Sequence, residues 1–153
     1  MILRKGITGF YDTKDFGNIR STKNDEIKTI LKKILHPYIP SNVIEPQSDN
    51  NYFSVNIQNK TNGLNFKLLI NEIYCMIAGV TSESKWMKLE FIDLPNDFIE
   101  QINFDNGFMI LNKKLLETEV PKEEIKILDK AEMDQINYWK SKTYGEIIFN
   151  GYD

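Results

Sequence analysis

The clearest hydrophobic pattern in the chain is formed by Ile27, Ile30, Leu31, Ile34 and Leu35. These positions recur at i, i+3, i+4, i+7 and i+8, which puts them on one stripe of an α-helix. Lys28, Lys32 and Lys33 fall off the stripe. Ser21 or Thr22 supplies an N-cap, and Asp25 and Glu26 suit the positive end of the helix dipole. Pro37 ends the element, because it lacks an N–H and disfavours helical geometry at His36. The spacing predicts a helix over about 22–36.

A different period follows. Phe53, Val55 and Ile57 alternate with Ser54, Asn56 and Gln58, and Phe66, Leu68 and Ile70 repeat the alternation. Period two is the mark of a half-buried strand. Asn62-Gly63 between the two runs is a hairpin signal. The apolar run Ile73 to Val80 suits a central strand, and Trp86 to Ile92 has strand composition. Residues 52–92 thus read as an antiparallel meander of about four strands.

The flanks are weaker. Residues 2–7 alternate faintly and suggest a first strand, and Thr8 to Arg20 reads as an irregular loop. Residues 37–51, with Pro37, Pro40 and Pro46, read as a loop. A short helix is expected from Asp97 to about Ile102, a turn at Asp105-Asn106-Gly107, and a short strand from Phe108 to Leu111. Lys113 to Glu119 suggests one or two helical turns, Pro121 opens a charged helix with Ile125, Leu128 and Ile127 as its candidate inward residues, and 131–138 gives a further turn or two with Ile136 apolar. Tyr144 to Phe149 is β-branched and aromatic and reads as a last strand. The expected fold is α+β: a single domain over 1–153, with helices packed on an antiparallel meander.

Composition narrows the class. The apolar fraction is 41% and the charged fraction 27% in 153 residues, enough for one ordinary core. No apolar run approaches 18 residues, so no membrane-spanning helix is expected. The N-terminus lacks the apolar stretch of a signal peptide, and the single cysteine, Cys75, allows no internal disulfide. Both suit a cytoplasmic protein. Seventeen lysines against two arginines, with many isoleucines and asparagines, point to AT-rich codons and a bacterial genome.

Net charge is −3, which argues against nucleic acid as the partner. The charge is uneven: residues 1–50 carry +2 and residues 94–153 carry −5. Glu117, Glu119, Glu123, Glu124, Asp129, Glu132 and Asp134 fall within 18 residues, interleaved with Lys122, Lys126 and Lys130 at helical spacing. Such a run is either a solvated helix face with weak local pairs or a partner-binding face for a basic protein.

Candidate chemistry is sparse. No glycine-rich phosphate loop and no histidine pair with zinc spacing is present, so no cofactor or metal is expected. Asp93, Asp97 and Asp105 could gather as carboxylates, but capping and turn roles explain them. His36 reads as a helix-end residue and Cys75 as a small core hydrophobe. No serine lies in a nucleophile-elbow sequence. The chain reads as a non-enzyme.

The most specific pattern is the tail, with Trp139, Lys140, Gly145, Ile147, Ile148, Phe149, Asn150 and Asp153. It resembles the ending of small bacterial immunity proteins encoded beside polymorphic and contact-dependent toxins. Ser141 stands where that pattern has proline, and Gly151-Tyr152 where it has a bulkier aromatic pair. The resemblance covers about 16 residues and reads as structural, an aromatic–glycine–aromatic closure of the core with Gly145 giving backbone freedom. It implies an immunity protein that binds and neutralises one cognate toxin domain, such as a basic nuclease. The alternatives are a general protein-interaction or regulatory domain without a toxin partner, or an enzyme of unfamiliar type.

Overall fold

The computed structural model describes residues 2–10, 24–85, 88–103 and 108–152. Strand β1 (Tyr38–Pro40) pairs with β2 (Tyr52–Asn59), β2 with β3 (Asn65–Asn71), and β3 with β4 (Met76–Thr81), all antiparallel. β4 then pairs antiparallel with β5 (Phe91–Ile92) and parallel with β6 (Met109–Ile110). The expected α+β meander is present, with the short parallel β6 added to it.

The alternation along the strands splits the core in two. Phe53, Val55 and Ile57 of β2, Phe66, Leu68 and Ile70 of β3, and Ile77 of β4 point to one face. On that face lie α1 (Asn24–Lys33), through Ile27 and Ile30, and α2 (Asn96–Ile102), through Phe98 and Ile102. The rings of Tyr38, Phe66 and Phe98 meet edge to face at centroid distances of 5.0–6.2 Å. Tyr52, Leu69, Met76, Ala78, Val80 and Phe91 point to the other face. There they meet the N-terminal segment and four short helices: α3 (Lys113–Leu116), α4 (Lys122–Ile125), α5 (Lys130–Trp139) and α6 (Tyr144–Ile148).

Several expectations need correction. Helix α1 ends at Lys33, so Ile34 still packs in the core but Leu35 lies beyond the helix and is 64% exposed. The Ser21 and Thr22 caps fall outside the described residues. Residues 2–7 are not a strand: they form turns, with Ile7 N–H donating to Arg4 O and Gly9 N–H to Gly6 O. The loop 37–51 contains β1 and a bridge between Ile44 and Ser54. The turn at Asn62-Gly63 is present, with Gly63 at φ +74°, but its loop is longer than two residues because Asn59 N–H bonds Leu64 O. Of the Trp86–Ile92 run only Phe91–Ile92 is strand; Trp86 and Met87 lie outside the described residues, as does the turn at 105–107.

The tail is helix, not strand. Thr143 accepts a bond from Glu146 N–H, the N-cap arrangement that starts α6. Ile147 and Ile148 are β-branched, yet both are fully buried, and core packing outweighs their weak preference for a strand.

Candidate functional site

The structure divides the acidic segment into two populations. Glu117, Glu119, Glu123 and Asp134 are exposed. Glu124, Asp129 and Glu132 are buried and are not available as a docking face, which corrects the partner-binding expectation for those three. Glu132 has no exposed surface. Its carboxylate accepts bonds from Gly6 N–H at 2.8 Å, Thr8 N–H at 3.0 Å, the Thr8 hydroxyl at 2.6 Å and Asp129 N–H at 3.2 Å. Glu124 accepts from Ile2 N–H and Leu3 N–H and neighbours the Tyr144 hydroxyl. Asp129 lies 3.2 Å from Lys5 Nζ. These three carboxylates hold the N-terminal segment against α4 and α5.

Burial pushes the Glu132 carboxyl above the ordinary range, against the opposing pull of the Thr8, Gly6 and Asp129 donors. Burial and the neighbouring Glu124 push the Tyr144 phenol up to about 12. Tyr144 therefore stays a hydrogen-bond donor at neutral pH.

With those three carboxylates removed, the exposed part of 113–134 is mixed in sign. Lys113, Lys114, Lys122, Lys126 and Lys130 face Glu117, Glu119, Glu123 and Asp134. Lys130 pairs with Asp134 at 2.9 Å and Lys113 approaches Glu117 at 4.0 Å, both at i, i+4.

The tail residues close the core on the same side. Lys140 ends α5 in the left-handed conformation at φ 57°. Trp139 is half-buried and stacks on Tyr152 at 6.3 Å and 13°. Gly145 is needed for close approach, not for backbone freedom: its α6 conformation is ordinary, but a Cβ there would collide with Phe91 and lie 3.0 Å from Leu116 O. Ile147, Ile148 and Phe149 are buried. Buried Asn150 donates to Thr8 O and Ile147 O and accepts from Tyr152 N–H. Asn51 and Asn71 each donate to both Ile7 O and Ile148 O. Three asparagines therefore join the N-terminal segment, the sheet and the tail. Asp153 lies outside the described residues.

A capping signal marks two of the three buried carboxylates as helix-start residues, though not their distant partners. Asp129 and Glu132 form a capping box at the start of α5, an arrangement readable as D-x-x-E. No equivalent signal marks Asn51 or Asn71.

The remaining candidates are dispersed. Asp97 accepts from the Tyr38 hydroxyl at 2.6 Å and Asp93 from Lys113 N–H, both structural bonds; Asp105 is outside the described residues. Among the described residues no group of three His, Cys, Asp or Glu side chains is placed to hold a metal ion. His36 stands between α1 and β1, exposed, and Cys75 is half-buried before β4. No described helix is long and apolar enough to cross a membrane.

Two depressions stand out. One, of about 630 Å³, lies at the β2–β3 hairpin and the start of α2; Glu83, Asp93, Asp97 and the 62%-exposed Leu64 line it, with no cationic side chain among its described lining residues. The other, of about 380 Å³, lies between β5 and the tail, lined by Tyr52, Lys88, Phe91, Trp139, Lys140 and Tyr152 among others. Compared with models of known protein families, with curated proteins and with solved structures, the chain matches none.

Proposed function

We propose that this protein is an immunity protein that acts in the bacterial cytoplasm, binding one cognate toxin domain and blocking it stoichiometrically. The observation that carries this reading is the tail pattern from Trp139 to Asn150, which resembles the ending of such proteins. Its residues pack into the core or cap a helix end. A shared pattern confined to the scaffold leaves the surface to vary from one cognate pair to the next, as specific recognition requires.

Two surfaces can meet a basic toxin domain. One is the exposed set Glu117, Glu119, Glu123 and Asp134, whose charge is diluted by neighbouring lysines. The other is the hairpin-end depression, where Glu83, Asp93 and Asp97 form no ion pair among the described residues. The second is the more one-signed field and is favoured for steering a basic partner.

The test is co-expression with the toxin domain encoded beside the gene. Rescue of growth together with a one-to-one complex supports the reading. Failure of the intact protein to rescue or to bind that domain removes it.

A further inference from the structure

The depression between β5 and the tail carries an unused set of polar groups. Most polar groups in its wall already have partners. The Tyr152 hydroxyl bonds Ser141 Oγ at 2.6 Å, and the Trp139 indole N–H bonds Gln135. Glu146 accepts from Lys142 N–H, and the Asn150 amide is fully engaged. Tyr52 is the exception. It is 8% exposed, its ring meets Phe149 edge to face at 6.2 Å, and its hydroxyl has no hydrogen-bond partner among the described residues. Tyr52 lines the depression, so its hydroxyl is available to an acceptor held there.

Two cations stand with it. Lys88 and Lys140 line the same depression and form no ion pair among the described residues. Lys140 holds the left-handed helix-end position at φ 57°, where glycine or asparagine is the unstrained choice. Glu146 is the single acid among the described lining residues. The apolar part of the wall is Phe91, Phe149, Leu89 and the stacked Trp139–Tyr152 pair. Its volume of about 380 Å³ sits near the lower end of the range of roughly 300–1,000 Å³ typical of small-ligand sites.

We propose that this depression binds a planar aromatic anion, its ring against Phe91, Phe149 and the Trp139–Tyr152 pair. Its carboxylate or phosphate lies between Lys88 and Lys140, and a ring acceptor takes the Tyr52 hydroxyl proton in a hydrogen bond. Burial, with the nearby Asp49 charge, raises the Tyr52 phenol above its usual range, so it donates at neutral pH. The site is independent of toxin binding.

The test is titration of the full chain, followed by amide NMR shifts in residues 139–152. Quinoline-3-carboxylate and adenosine 5′-monophosphate, each with a ring-nitrogen acceptor, probe the two anionic groups. Quinoline and adenosine serve as ring-only controls, and acetate and inorganic phosphate as charge-only controls. At least one ring-bearing anion is expected to bind with a Kd on the order of 0.1–1 mM, at least tenfold tighter than either of its controls. Which of the two binds decides between carboxylate and phosphate. Tyr52→Phe removes only the unpartnered hydroxyl, so it should leave the melting temperature unchanged or higher while weakening binding severalfold. Lys140→Asn, compatible with the left-handed position, should weaken the anion and leave the ring-only control unaffected. No shifts with either anion at millimolar concentration, equal binding of anion and ring-only control, or full binding by Tyr52→Phe would each overturn the proposal.

Discussion

The two faces of the sheet are held by different physics. On the α1–α2 face the contacts are apolar: aliphatic rows from three strands meet Ile27, Ile30 and Phe98, with Tyr38, Phe66 and Phe98 interlocked. On the opposite face the helices are short, two of them only four residues long, and too brief to be stable by propensity. That face is joined by buried polar groups, with Glu124, Asp129 and Glu132 gripping the N-terminal segment and Asn51, Asn71 and Asn150 tying it to the tail. Burying an ionised group is costly unless every lone pair finds a donor, and Glu132 meets that condition with four. The contrast teaches that a run of carboxylates on short helices can be an internal fastening rather than a solvated face.

The contrast can be broken by truncating each face in turn. Phe98→Ala and Glu132→Ala should each cost about 3–5 kcal/mol in urea melts, the first by leaving a cavity and the second by orphaning buried donors. Their pH dependence should differ. Glu132 has a folded pKa raised by burial above the ordinary 4.5. The fold therefore binds a proton at this carboxyl more readily than the unfolded chain does, and the stability linked to it is largest below 4.5 and declines as pH rises through the raised value. The gap between wild type and Glu132→Ala should narrow with rising pH across that window. The gap for Phe98→Ala should stay flat. A Glu132 gap that widens with pH would reverse the sign assigned here.

A smaller loss is expected from Gly145→Ala. The added methyl meets the Phe91 ring and the Leu116 carbonyl, and such overpacking costs about 1–3 kcal/mol. If glycine served only backbone freedom at this helical position, alanine would instead be neutral or stabilising.

Smallest of all is the effect of changing Glu117, Glu119 and Glu123 together to lysine. Exposed charges shift stability by about 0.5 kcal/mol or less, so thermal melts should barely move. Including Glu124 in that set should change the result sharply, because its carboxylate accepts Ile2 and Leu3 N–H inside the fold.

Legibility in the sequence follows the same divide. The α1 stripe and the alternation at Phe53, Val55, Ile57, Phe66, Leu68 and Ile70 are visible because apolar burial imposes a period on the chain. The tail helix was hidden, since Ile147 and Ile148 carry strand preference and only Thr143-x-x-Glu146 signals a helix start. The internal carboxylates were hidden for a stronger reason. Glu124 and Glu132 bond to residues more than a hundred positions away, and no local pattern encodes such a partner. Tyr52 shows the same limit: its place in the strand alternation says which face it joins, but not that its hydroxyl lacks a partner among the described residues.

Amide hydrogen exchange at Gly6 and Thr8 tests the internal fastening most directly. Their N–H groups, bonded to buried Glu132 Oε1 and Oε2, should exchange as slowly as Ile70 in the central strand. In Glu132→Ala that protection should vanish while Ile70 stays protected. Exchange of Gly6 and Thr8 at unstructured-chain rates in the wild-type protein would contradict the fastening and return the acidic segment to a solvated face.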